Sequence, residues 1–210
     1  MTPGHGRRGG GRGAGLNTAD LQIIVLAAGA STRFGTPKQL AAVHGAPLLQ
    51  LVLSRATAVV GPAVTVVLGA HAAEIAPALG RLPVSLVVNR DWSEGIAASI
   101  RAGVRSLPGS CAAALLLLAD QAGVTSADLQ RLADGWRRNP RAIVAAQYAG
   151  GHGAPAIFPR SEFPALLRLR GDHGAAMLLR NPAVTLIGVP MPSAAADIDR
   201  PEDLAVITAP

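Results

Sequence analysis

One cysteine, few aromatic residues and no long apolar run stand in this chain, and each scarcity removes a class of protein. A lone Cys111 excludes an intrachain disulfide and a cysteine-rich metal site. Its neighbours are Ala and Leu, so it reads as a buried structural residue. Aromatics make up 3% of the chain while half of it is apolar, chiefly Ala, Leu and Val. Such a core consists of many small aliphatic contacts and favours helices packed tightly on a sheet. No stretch reaches about 18 uninterrupted apolar residues, which argues against a membrane span. The longest apolar run, Cys111 to Ala119, has the length of a buried strand. Acidic residues are missing from the first nineteen positions, which hold Arg7, Arg8 and Arg12; without these the net charge falls from +6 to +3. The mildly basic body suits an anionic small substrate. The Gly/Arg-rich start, Met1 to Gly15, lacks the apolar centre of a signal peptide, so a cytoplasmic protein is expected. Residues 1–20 carry too little apolar surface to offset the entropy of ordering, and a flexible tail is expected there. Nucleic acid is not the expected partner of that tail.

From residue 21 to 210 the pattern predicts one domain. Short apolar runs bounded by Gly, Pro, Asn or Asp predict strands at Gln22–Ala28, Ala63–Leu68, Val84–Val88, Ala112–Ala119 and Ala142–Gln147. Helical spacing predicts helices at Pro47–Val59, His71–Leu79, Gly95–Ser106 and Thr125–Arg138. Thr125 is a cap candidate, with Asp128 completing a weak variant of the capping box. The last third is less regular: strands at Ala154–Phe158 and Val184–Val189, helices at Glu162–Leu169, Asp172–Leu179 and Pro201–Ile207. Alternation of strand and helix implies a three-layer α/β/α, Rossmann-like and mostly parallel sheet, because parallel neighbours need crossover connections.

The richest signal follows the first strand: Leu26-Ala27-Ala28-Gly29-Ala30-Ser31-Thr32-Arg33-Phe34-Gly35-Thr36-Pro37-Lys38. Small side chains there let backbone N–H groups approach a ligand, and Arg33 and Lys38 add two cations on a short constrained loop. The pattern suits a triphosphate whose charge must be neutralised during reaction. It is not Gly-x-x-x-x-Gly-Lys-Ser/Thr, since Gln39 follows Lys38, nor Gly-x-Gly-x-x-Gly. Asp120 ends an apolar strand, at the carboxyl edge where open α/β sheets collect ligands. That is a suitable place for a metal carboxylate, and Asp197 and Asp199, two apart in an extended segment, would point one way and could bring a second carboxylate to the same ion. Capping the final helix is the competing role for Asp199.

Together with Asn89-x-x-Trp92-x-Glu94-Gly95-Ile96-Ala97-Ala98-Ser99-Ile100, Asp120-Gln121, Gly171-Asp172-x-Gly174-Ala175 and Asp197-Ile198-Asp199-x-Pro201-Glu202-Asp203-Leu204, the loop resembles the signature of the MobA-like NTP transferases, above all the molybdenum cofactor cytidylyltransferase (MocA-like) branch. The resemblance spans about Ile23 to Ile207. It implies the nucleotide-diphospho-sugar transferase-like fold and transfer of CMP from CTP to molybdopterin with release of pyrophosphate. It further implies Arg33 and Lys38 as catalytic cations and nucleotide contacts from Leu26, Ala27, Ala28, Gly29, Arg33, Lys38 and Ser99. Mg²⁺ would be held by Asp120 and Asp199, with Asp197 a weaker ligand, and a molybdenum hydroxylase would be the eventual client. The alternatives are a guanylyltransferase, a sugar or polyol phosphate cytidylyltransferase, and a noncatalytic carrier of the cofactor. Ala28 stands where guanylyltransferase relatives usually carry Gly, which favours cytidine. Two departures stand out: Gln121-Ala122 replaces the family's Gln-Pro or Met-Pro, which implies a less rigid turn at the strand end, and Gly153-Ala154-Pro155 replaces Gly-His-Pro, with His152 displaced, which bears on acceptor recognition.

Overall fold

A computed structural model describes residues 20–204; the tail expected before them therefore lies outside the described residues, Asp20 excepted. In chain order the strands are β1 (Leu21–Ala27), β2 (Ala42–Val43), β3 (Ala46–Pro47), β4 (Val64–Leu68), β5 (Ser85–Val88), β6 (Ala113–Leu118), β7 (Ile143–Tyr148), β8 (Gly151–Pro159) and β9 (Leu186–Pro190). The helices are α1 (Leu48–Val60), α2 (Ala72–Ile75), α3 (Ile96–Arg105), α4 (Ser126–Arg138), α5 (Phe163–Arg168) and α6 (Ala176–Leu179). Seven strands form one sheet in the order β5-β4-β1-β6-β8-β7-β9, and β2 pairs with β3 as a small separate hairpin.

Residue alternation along β1 explains the three layers. Ile23 and Val25 join a core with Leu49, Val52 and Leu53 of α1 and Leu129, Leu132 and Trp136 of α4. Ile24 and Leu26 point the other way, toward Ile100 and Val104 of α3 and Phe163 and Leu166 of α5. Because successive side chains face opposite sides, a strand covered on both faces must be apolar throughout. Cys111 is fully buried, and that burial raises its thiol pKa, in keeping with a structural role.

The sheet is mostly parallel: β5 with β4, β4 with β1, β1 with β6, and β7 with β9. One strand breaks the pattern. β8 runs antiparallel to both β6 and β7 and starts at Gly151, three residues before the strand expected at Ala154. Its direction follows from the two-residue turn Ala149-Gly150, both at positive φ (48° and 74°), which is too short for a crossover.

Other expectations hold in outline and differ at the ends. The helix expected at His71–Leu79 divides into α2 and a 3₁₀ turn, Ala76–Leu79, because Pro77 has no N–H to continue the ladder. Of the helix expected at Asp172–Leu179 only Ala176–Leu179 forms; Gly171, at φ 61°, and the residues to Gly174 make a turn. Pro201–Asp203 is a 3₁₀ turn, and residues 205–207 of the expected helix lie outside the described residues. At α4 the box is complete: Thr125 Oγ1 accepts the Asp128 N–H at 3.2 Å and Asp128 Oδ2 accepts the Thr125 N–H at 2.9 Å. Among the described residues no helix is long and apolar enough to cross a membrane.

Candidate functional site

Parallel strands β4, β1 and β6 all end at one edge, and a cleft of about 470 Å³ opens there. The loop after β1 forms one wall. It is closed by a buried polar residue: Gln39, only 2% exposed, donates Nε2 to the carbonyls of Ala27 (3.0 Å) and Gly29 (3.2 Å). Its Oε1 accepts the Ser31 hydroxyl at 3.2 Å, and Ser31 Oγ accepts the Lys38 N–H at 3.2 Å. Ser31 takes a left-handed conformation, φ 54°, and its carbonyl accepts the N–H groups of Phe34 and Gly35. The sequence between Gly29 and Lys38 is thus folded into a hoop that presents both cations to the cleft.

Lys38 is the centre of the charge arrangement. Its Nζ donates to Asp120 Oδ2 at 2.6 Å, to the Ile198 carbonyl at 2.8 Å and to Asp199 Oδ1 at 3.3 Å. Asp199 also accepts Arg33 Nη1 at 2.8 Å. One ammonium therefore bridges two carboxylates drawn from positions far apart in the chain. The approach of the 197–199 segment is fixed by Ile198, which is 1% exposed and donates its N–H to the Asp120 carbonyl at 3.1 Å. Capping is performed by Asp203, not Asp199: Asp203 Oδ2 accepts the N–H groups of Asp199 and Arg200 at 2.9 and 2.8 Å. Those two bonds are the main reason that the Asp203 carboxyl lies below the ordinary range. The Asp199 side chain is left to the cations.

Leu26, Ala27, Ala28, Gly29, Arg33, Lys38, Ser99, Asp120 and Asp199 all line this one cleft. Asp197 does not. It interacts with Gln121 and with the charge of Lys38, and it raises the Tyr148 pKa in addition to the effect of burial there. Although the residue as a whole is exposed, loss of hydration around its carboxyl and then the charge of Asp120 push its pKa up to about 6. Ser99 is buried, and its hydroxyl accepts Asn89 Nδ2 at 3.1 Å, so it braces the wall at the start of α3. His152 lies against Gly188 of β9 and is not part of the cleft lining. The turn without the family's proline is held another way: Arg55 donates to the carbonyls of Ala122 and Val124, and Gln121 donates to those of Ala154 and Ala194.

The donor set fits a hard divalent cation. Asp120 Oδ1 is buried without a hydrogen-bond partner, an expensive state that a bound cation would relieve, and Asp199 stands across the same ammonium. Among the described residues no group of three or more His, Cys, Asp or Glu side chains converges. Magnesium does not need one, because it is usually bound by one or two carboxylates plus substrate phosphates and retained waters.

The cleft also contains residues that composition and spacing left unassigned: Trp92, Ser93, Gly95, Ile96 and Asp172. Their signal lay in the segments around Trp92 and Asp172, which are well separated in sequence. Folding brings them together, with the Gly171 carbonyl accepting the Ala97 N–H at 3.1 Å.

Residues 23–186 match the family described as MobA-like NTP transferase domain. Among curated proteins the chain is similar to nicotine blue oxidoreductase of Paenarthrobacter nicotinovorans, 32% identical over 199 residues that cover 86% of this chain and 93% of that one. Among solved structures it resembles Rv0371c of Mycobacterium tuberculosis H37Rv, with TM-score 0.78, 28% identity and coverage of 91% of this chain and 99% of that one. It also resembles a manganese complex of Rv0371c, with TM-score 0.74, 27% identity and coverage of 90% and 98%.

Proposed function

The chain belongs to the MobA-like NTP transferase family, and from that premise we propose that it transfers CMP from CTP to the terminal phosphate of molybdopterin, releasing pyrophosphate. Nucleotidyl transfer is the chemistry of the family; the nucleotide and the acceptor are our reading. The observation that carries it is Lys38 Nζ bridging Asp120 and Asp199 at the mouth of the β1 loop, with Arg33 on the outer carboxylate. A pair of cations already balanced by a pair of carboxylates is suited to exchange partners when a triphosphate and its cation arrive together.

In this reading a phosphate oxygen of the acceptor attacks the α-phosphorus. The new O–P bond forms as the bond to the bridging oxygen of pyrophosphate breaks, and both electrons leave with pyrophosphate. An acceptor phosphate needs no strong base, so the work of the protein is positioning and charge neutralisation. Arg33 and Lys38 take the β- and γ-phosphates, and the small residues Ala27 to Gly29 let the backbone approach the chain of phosphates. Asp120 and Asp199 would hold Mg²⁺, which when bound neutralises charge on the triphosphate. The manganese complex of Rv0371c supports a divalent ion as such. Cytidine is favoured by Ala28 in the cleft lining, where the resemblance puts Gly in guanylyltransferases.

The test is pyrophosphate release with each of the four ribonucleoside triphosphates, Mg²⁺ and molybdopterin. Release with CTP, lost by orders of magnitude in Lys38→Ala, is expected. Release with GTP alone would replace the nucleotide, and release with a sugar or polyol phosphate alone would replace the acceptor. Cofactor binding without any release would make the protein a carrier. Reduction of nicotine blue by the same preparation, with no pyrophosphate from any triphosphate, would replace the reaction class.

A further inference from the structure

The cleft lining runs from Leu118, Ala119 and Asp120 at the end of β6 to Trp92, Gly95 and Ile96, so a nucleotide whose phosphates meet Lys38 and Asp120 finds room for its base on the side away from β6. The strand order gives the direction: β4 lies two strands from β6, about 10 Å away at ordinary strand spacing. At that end Trp92 stands against Gly69, which follows β4, and a Cβ on Gly69 would lie 2.5 Å from the Trp92 Cβ. Trp92 is 37% exposed on the cleft wall, an accessible indole face of the kind on which bases stack.

Beside it the chain builds a place for one carboxylate. Gly95, at φ 99°, caps α3 without a side chain; a Cβ there would collide with Asp172 Oδ1 and come within 2.6 Å of the Gly171 carbonyl. The glycine lets the 171–172 turn close onto the helix start and sets Asp172 into the cleft lining. Among the described residues Asp172 forms no ion pair or side-chain hydrogen bond, whereas Asp120, Asp199 and Glu94 are each paired with a cation. The residue is exposed, so its carboxylate is open to a ligand in the cleft.

A carboxylate offers acceptors only. An amino group on a base satisfies it, and a carbonyl in the same place meets it with repulsion and an unpaired polar edge. Cytosine and uracil differ at that position, 4-amino against 4-oxo, and Asp accepting from the cytosine N4 amino group is an established pairing in nucleic-acid recognition. We propose that Asp172 is a specificity-determining residue that reads the exocyclic amine of the base, with Trp92 stacking on its face, and so separates CTP from UTP. The inference rests on the reading of the chain as a cytidylyltransferase and names the group that enforces it.

Its test is the ratio of kcat/KM for CTP to that for UTP in the wild type, Asp172→Asn and Asp172→Ala, with thermal stability recorded for each. The wild type should prefer CTP. Asn can turn its NH₂ toward the uracil carbonyl, so Asp172→Asn should lower the ratio roughly tenfold to a hundredfold, the worth of a hydrogen bond to a charged group. The change should fall on KM for the nucleotide and not on KM for the acceptor. Fluorescence quenching on titration with each magnesium nucleotide should show the same fall in preference without turnover. An unchanged ratio in two folded variants overturns the proposal while leaving the transferase reading intact. So does an effect confined to KM for the acceptor, which would assign the carboxylate to the second substrate. Absence of turnover with every triphosphate in the wild type would instead remove the reading on which the proposal stands.

Discussion

Replacing Lys38 by Met keeps the length of the side chain and removes its charge, leaving Asp120 and Asp199 facing one another without the ammonium that joins them. The side chains of Lys38 and Asp120 are only 15% and 19% exposed, so solvent screens the site weakly, and Asp120 Oδ1 is already without a partner. Breaking a buried pair by removing one partner costs about 3–5 kcal/mol, and residual exposure puts this site near 3 kcal/mol. For a domain of this length that corresponds to a fall in Tm of roughly 6–12 °C. A divalent cation can stand in for the lost ammonium. Millimolar Mg²⁺ or Mn²⁺ should therefore raise the Tm of Lys38→Met by several degrees and that of the wild type by less. The assay is thermal unfolding of both proteins with and without metal, in the absence of nucleotide. A variant as stable as the wild type in metal-free buffer, or an equal metal shift in the two proteins, would refute the claim that Lys38 holds the cation position between the carboxylates.

Thr125→Ala should cost about 1 kcal/mol in chemical unfolding, the usual worth of an N-cap, since both halves of the α4 box are formed. Burial raises the Asp128 pKa, but its bonds from Thr125 and Ser193 and the charge of Arg131 outweigh that and hold it below the ordinary value. A depressed folded pKa stabilises above the unfolded pKa of about 3.9 and is lost as pH falls through the lower folded value. The deficit of Asp128→Asn, measured by urea unfolding across pH, should accordingly be full at pH 7 and shrink below about pH 4; a deficit constant to pH 2 would contradict it. Gly103→Val should destabilise by about 1–3 kcal/mol, because a Cβ at that position meets Ile24 Cγ2 at 2.6 Å in the packed face between α3 and the sheet.

What could be read from sequence depended on how local the determining contacts are. The parallel strands were legible since each is a short run apolar on both faces, and the β1 loop because its two cations sit on one small-residue segment. The start of β8 is not legible in the sequence: Gly151, His152 and Gly153 have poor strand character and are extended by the tight turn before them and pairing to β7. Gln39 and Asp203 are ordinary polar residues in sequence; only the backbone groups they meet, those of Ala27, Gly29, Asp199 and Arg200, give them a task. The convergence of Lys38 with Asp199 joins positions 161 residues apart, and no spacing rule reports it. Asp197 shows the limit of such a rule: two residues from Asp199 in an extended stretch, it still lies outside the lining of the cleft.

The most direct measurement follows the α-phosphorus. With CTP labelled at that atom, Mg²⁺ and molybdopterin, the label should pass into a cytidine dinucleotide of the cofactor in step with unlabelled pyrophosphate, and should fail to do so in Lys38→Ala. Label remaining in CTP, or appearing only as free CMP, would contradict the account.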